Sequence, residues 1–145
     1  MEPQKTDPSI PRPPMRLLLV EDHEGLAEVT AEFLHLRGLE VRISPTGRDA
    51  LEVAETFRPE IVLCDLNLPD VAGLDLAKAL RDNPATQKAF FVIHTGLTDA
   101  DIGALQDANI REVDLFLSKP MTQEKLDRLL QLLRSRTKNP AKPEN

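Results

Sequence analysis

The stretch Glu60 to Gly73, EIVLCDLNLPDVAG, decides how the rest of the chain is read. Ile61, Val62, Leu63 and Cys64 form an unbroken apolar run, the pattern of a strand buried on both faces, and Asp65 ends it. Asn67, Pro69, Asp70 and Gly73 then break any regular period. Open α/β sheets bind their ligands in the crevice beyond the carboxyl ends of central strands, so a carboxylate at that point is the first candidate for chemistry.

Three further apolar runs deliver partners to the same edge if the strands are parallel. Leu17 to Val20 ends in Glu21-Asp22, Phe90 to Ile93 passes through His94 into Thr95-Gly96, and Leu115 to Ser118 ends in Lys119-Pro120. Between the runs lie helical patterns. Leu26, Val29, Thr30, Phe33 and Leu34 mark a helix over 24–37 that Gly38 is placed to stop. Ala50, Leu51, Ala54 and Phe57 mark a second over 48–57, and Leu74, Leu76, Ala77 and Leu80 a third that ends near Asn83-Pro84. Thr98 to Asp101 reads as a capping box for a fourth helix through Leu105. Thr122 is placed to cap a final helix on Leu126, Leu129, Leu130 and Leu133, with Leu132 beside that stripe as a candidate partner contact. Leu39, Val41 and Ile43 alternate with polar residues, as in a strand with one covered face. Strands alternating with helices in this way predict a parallel sheet wrapped on both faces.

Composition narrows the function. The 145 residues suffice for one domain, 41% of them apolar, and without Tyr or Trp the core must be built from Leu, Val, Ile and Ala. A formal charge of −6 argues against direct nucleic-acid binding, which needs a basic surface to displace counterions. No apolar run approaches the roughly 18 residues of a membrane span, and prolines at 3, 8, 11, 13 and 14 occupy the place of a signal peptide's apolar stretch. A lone cysteine, Cys64, excludes an internal disulfide and reads as a small core residue. The expectation is a cytoplasmic protein with a Pro-rich tail at 1–14, one domain at 15–136 and a second tail at 137–145.

Each candidate also has a structural reading. Asp65 could cap a turn, Glu21-Asp22 could cap a helix, and Lys119 could be a solvated surface lysine. Their convergence favours chemistry. Carboxylates crowded at one edge repel one another unless a cation or proton intervenes, and an all-oxygen set suits Mg²⁺, with no Cys/His cluster for zinc. His23 and His94 adjoin the acidic edge without ligand spacing, so pH sensitivity is the most they suggest.

Taken together, Glu21-Asp22, Asp65, Thr95 and Lys119-Pro120 at the ends of strands one, three, four and five resemble the receiver domain of two-component response regulators, of the single-domain, chemotaxis-regulator-like kind. The turn D-x-x-x-P-x-x-x-G is present as Asp65, Pro69 and Gly73, and the resemblance covers about residues 15 to 136. It implies a flavodoxin-like, doubly wound sheet of strand order 2-1-3-4-5 flanked by five helices. It also implies that Asp65 accepts a phosphoryl group from a histidine kinase or histidine phosphotransfer protein. Mg²⁺ would be held by Glu21, Asp22, Asp65 and the backbone carbonyl of Asn67. Lys119 would hold a phosphoryl oxygen, with a cis peptide to Pro120 a candidate; Thr95 and Phe116 would form the switch. The protein would then be no enzyme in the ordinary sense. It would signal through the surface of the fourth helix, fifth strand and fifth helix to a downstream protein, and a phosphorylation-dependent homodimer is allowed.

Two departures stand out. Asn109 to Val113 replaces the glycine that usually precedes the fifth strand, with Asn109 able to end the helix in a left-handed conformation. Leu97 occupies the place, two after Thr95, where a polar side chain could orient a hydrolytic water. Alternatives are a receiver module of a hybrid kinase or multidomain regulator, a phosphorylation-independent interaction module, and a magnesium phosphohydrolase. The last normally carries its nucleophile on the first strand with a second Asp two residues on, where this chain has Asn67.

Overall fold

The computed structural model describes residues 13–138. Five strand-helix units follow one another: β1 (Arg16–Val20), α1 (Glu24–Leu36), β2 (Glu40–Ser44), α2 (Gly47–Phe57), β3 (Ile61–Asp65), α3 (Gly73–Arg81), β4 (Phe90–Thr95), α4 (Asp99–Asp107), β5 (Leu115–Ser118) and α5 (Gln123–Lys138). The strands form one sheet in the order β2-β1-β3-β4-β5, with every neighbouring pair parallel. The doubly wound architecture expected from the sequence is therefore the observed one. Of the expected tails at 1–14 and 137–145, residues 1–12 and 139–145 lie outside the described residues, while 137 and 138 belong to α5.

Alternation along the central strands divides the core in two. Leu18, Val20, Val62, Cys64, Phe91, Ile93 and Phe116 pack beneath α2, α3 and α4. Leu17, Leu19, Ile61, Leu63, Phe90, Val92, Leu115 and Leu117 pack beneath α1 and α5. Both faces of β3 and β4 are covered, which is why their sequences read as continuous apolar runs rather than as alternation.

Two expectations need correcting. Val29 is expected on the buried face of α1, yet it is 69% exposed; Thr30 and Leu34 face the sheet as expected, and Ala27 joins them there. In β2 the covered face ends early: Leu39 is buried and Val41 half-buried, but Ile43 is 38% exposed. As the sheet's edge strand, β2 has a neighbour on one side alone.

The helix ends follow their caps. The Thr98 Oγ1 accepts from Asp101 N at 3.1 Å, and Thr122 Oγ1 accepts from Lys125 N at 3.2 Å, as the sequence predicts. Asn109 is left-handed, with φ 56°, and it closes α4 where glycine would be usual. At α1 the cap is neither Glu21 nor Asp22; His23 Nδ1 accepts from Leu26 N at 3.0 Å. Two acidic side chains are thereby left free of helix capping.

Candidate functional site: the carboxyl edge of the sheet

Parallel strands bring Glu21 and Asp22 (after β1), Asp65 (last residue of β3), Thr95 (last residue of β4) and Lys119 (after β5) to one edge. Oxygen atoms of Glu21, Asp22 and Asp65 all lie within 4.8 Å of one another. The Lys119 ammonium reaches into this group, donating to Glu21 Oε1 at 2.7 Å and to Asp65 Oδ2 at 3.2 Å. Burial works against its charge, but the bond to Glu21 and the fields of Asp65 and Glu21 outweigh burial and push its pKa above the ordinary lysine value. Lys119 is therefore a fixed cation at the edge and not a solvated surface lysine.

The backbone holds these groups in place. Glu21 N donates to Ser44 O at 3.0 Å, which ties the end of β1 to the end of β2, and His23 N donates to Glu21 Oε2 at 3.2 Å. Lys119 N donates to Thr95 O at 2.6 Å, and the Lys119–Pro120 peptide is cis, as the resemblance implied. Beyond Asp65, Gly73 N donates to Leu66 O at 2.6 Å. A Cβ on Gly73 would lie 2.4 Å from Asp65 O, so a glycine is needed where the chain turns back against the acidic strand end.

Thr95 is buried, and its Oγ1 accepts from Leu97 N at 3.3 Å. It shares the α2-α3-α4 face with Phe116, whose Cα pairs with that of Ile93 on the neighbouring strand, two residues before Thr95. Phe116 is packed into the core. His94 points to the opposite face and is 3% exposed, with its Nε2 lacking a hydrogen-bond partner among the described residues. Burial first, then the Lys119 and Lys125 charges, lower its pKa to about 4. The imidazole is thus neutral near pH 7, and the pH sensitivity suggested for it has no support there.

The donor set is all oxygen, with one buried carboxylate (Glu21), one half-buried (Asp65) and one exposed (Asp22). Three negative charges against one positive charge leave an anionic edge that a divalent hard cation would neutralise. The residues present fit Mg²⁺ on that ground.

Some features at this edge had no periodic signature in the sequence. Asp70 accepts from Gly47 N and Arg48 N, each at 2.9 Å, which joins the loop after β3 to the start of α2. His23, as the cap of α1, was likewise not foreseen.

A parallel sheet of this order with an acidic triad and a lysine at its carboxyl edge defines a receiver-type fold. Residues 17–131 match the family model described as response regulator receiver domain, and the chain belongs to that family. It is 30% identical over 123 residues to the transcriptional regulatory protein TrcR of Mycobacterium tuberculosis, covering 83% of this chain and 46% of TrcR. It is 30% identical over 108 residues to the luminescence regulatory protein LuxO of Vibrio campbellii, covering 74% of this chain and 23% of LuxO. The chain thus spans less than half the length of these two relatives. A CheY-like receiver domain from Methylobacillus flagellatus superposes with a TM-score of 0.70 at 31% identity, over 83% of this chain and 98% of that one. Among the described residues no helix is long and apolar enough to cross a membrane.

Proposed function

We propose that this receiver domain is a phosphoacceptor in which Asp65 is the nucleophile. The observation that carries the reading is the contact of Lys119 Nζ with both Glu21 and Asp65, inside a set of three carboxylates at the carboxyl edge. A lysine so held offsets charge both on the attacking carboxylate and on an incoming phosphoryl group.

In this reading an Asp65 Oδ attacks the phosphorus of a phosphohistidine on a histidine kinase or histidine phosphotransfer protein. The new O–P bond makes an acyl phosphate on Asp65 while the P–N bond to the donor histidine breaks. Mg²⁺, when bound, neutralises charge between the carboxylates and the phosphoryl oxygens. Asp22 and Asp65 would ligate it directly, Glu21 chiefly through water, and the Asn67 backbone carbonyl would complete the protein's share. Lys119 would take one phosphoryl oxygen. The Thr95 hydroxyl would donate to another, leaving its contact with Leu97 N and vacating space on the face it shares with Phe116.

The phosphoryl group adds up to about two negative charges and three acceptors, enough to bias a two-state equilibrium through its contacts with Lys119 and Thr95. The readout is then the surface of α4, β5 and α5, presented to a protein partner. The 30% identity to two longer regulatory proteins supports a second arrangement with the same chemistry, in which this receiver works within a multidomain regulator.

Intact-mass spectrometry after incubation with acetyl phosphate tests the reading. One added phosphoryl group is expected with Mg²⁺ and none without it. If no adduct forms and beryllofluoride with Mg²⁺ also leaves the melting temperature unmoved, the phosphoacceptor reading is wrong. A second expectation concerns lifetime. Leu97 is half-buried against the core and offers no group to orient water, so Leu97→Glu should shorten the half-life of the phosphorylated form several-fold, read as decay of the adduct mass. An unchanged half-life would remove Leu97 from the account.

A further inference from the structure

The loop between β3 and α3 carries Asn67, yet its tip is fastened to a different element. Asp70 spreads its two carboxylate oxygens over the first two N–H groups of α2, Oδ1 on Gly47 N and Oδ2 on Arg48 N, each at 2.9 Å. These donors have no partner within the helix, and the positive helix terminus favours a carboxylate. The two bonds also hold the pKa of Asp70 below the ordinary carboxylate value, so it is ionised throughout the neutral range.

Packing repeats the fastening. Gly47 is buried against Val71, so closely that a Cβ on Gly47 would lie 2.2 Å from Val71 Cγ1. Inside the loop Leu68 N donates to Val71 O at 3.2 Å, and Asn67 forms an antiparallel bridge with Ala72. Asp70 and Val71 are thus rigidly connected, through one short turn, to the backbone of Asn67. Asp70 itself is not one of the three clustered carboxylates; its charge is directed to α2.

We infer that Asp70 is a positioning residue for metal binding: its grip on the first turn of α2, backed by Val71 on Gly47, holds the β3-α3 loop so that the Asn67 carbonyl is presented at the acidic edge. This rests on the proposed Mg²⁺ site. Groups that orient metal ligands without touching the metal commonly change affinity by 10- to 100-fold when removed. The same contact makes α2 part of the site's frame, although α2 contributes no side chain to it.

The test is calorimetric titration of Mg²⁺ into the full chain and three variants. Asp70→Ala should weaken Mg²⁺ binding roughly tenfold, and Asp70→Asn, which keeps one acceptor for Gly47 N or Arg48 N, should recover part of the loss. Thr46→Ala is the control. It removes the other cap of the same helix, Thr46 Oγ1 on Asp49 N at 3.0 Å, without touching the loop, so it should lower the melting temperature and leave Mg²⁺ affinity unchanged. Equal affinity in wild type and Asp70→Ala overturns the inference, as does an equal loss in Thr46→Ala, which would mean that α2 stability alone is at work. Circular dichroism establishes that each variant is folded, and Asp70→Asn carries the comparison if Asp70→Ala is not. A wild-type chain that binds no Mg²⁺ overturns the metal site itself, a result distinct from the first two.

Discussion

Replacing Asp65 by asparagine should produce a protein that takes up no phosphoryl group from acetyl phosphate and yet melts higher than the wild type in metal-free buffer. The first half follows from chemistry, since a neutral amide oxygen is no match for a carboxylate as a nucleophile. The second follows from charge. Asp65 faces two carboxylates whose oxygens lie within 4.8 Å and one ammonium at 3.2 Å. At an effective dielectric near 20, two such repulsions amount to about 7 kcal/mol and the one attraction to about 5 kcal/mol. Asparagine removes both and keeps an acceptor for Lys119, which retains Glu21 at 2.7 Å. Because Asp22 is exposed, its share is screened, and a net gain of about 1 kcal/mol remains. That corresponds to a rise of roughly 3 °C in Tm for a domain of this size. Mg²⁺ should raise the Tm of the wild type and move that of the variant far less. Intact mass and calorimetric melting measure the two halves separately. An adduct on the variant would place the nucleophile elsewhere, and a lower metal-free Tm would show that the Lys119 pair outweighs the repulsion.

The largest effect on stability is expected at the opposite edge of the sheet. Asp114 Oδ2 accepts from Phe91 N at 2.8 Å, Arg81 Nη2 at 2.9 Å and Arg136 Nη1 at 3.1 Å. Arg81 in turn donates to the carbonyls of Gln87 and Ala89 at 2.8 and 2.7 Å, and to that of Glu112 at 3.0 Å. One carboxylate thereby joins the end of α3, the start of β4, the connection before β5 and the end of α5. Asp114→Ala strands the amide of Phe91, a residue only 1% exposed, and leaves two guanidinium groups without their anion. A cost of about 3 kcal/mol, or roughly 10 °C in Tm, is expected. Asp114→Asn, which keeps an acceptor, should lose markedly less. Arg81→Ala should fall in the same range, and the double variant should fall short of the sum because both act on one network. Thermal and urea denaturation read these values. A loss below about 1 kcal/mol for Asp114→Ala would reduce the network to a surface ion pair. Acyl phosphate formation at low temperature should be unaffected, since the cluster stands away from Asp65.

The Arg81-Asp114 network also marks what a sequence conceals. Ile61 to Cys64 and Phe90 to Ile93 announce buried strands because both their faces are covered, and Asp65, Glu21-Asp22 and Lys119 are visible because each stands where such a run ends. Caps within one helix are local, so Thr98 and Thr122 were legible, as was the left-handed Asn109. Arg81 and Asp114 are 33 residues apart, and Asp70 is 23 residues from Gly47. Such partnerships exist only once the sheet has assembled, and no period records them. Periodicity misjudges Val29 for a related reason: the exact face of α1 that meets the sheet is chosen by packing, which takes Ala27 beside the expected Thr30 and Leu34 and leaves Val29 outside. The cap at His23 is not legible in the sequence because a histidine ring in that position is an unusual acceptor.

Cys64 has a practical consequence for following all of these changes. The chain has no tryptophan or tyrosine, so the usual optical reporters of folding are missing. Its single thiol is fully buried one residue before Asp65, donates to Asp65 O at 3.1 Å, and is held protonated chiefly by burial and by the neighbouring carboxylates. An alkylating reagent reaches a thiolate there only when β3 is released from its neighbours. The rate of Cys64 labelling is therefore a built-in clock for opening of the central strand, readable by mass, and anything that occupies the acidic edge of the folded state should slow it.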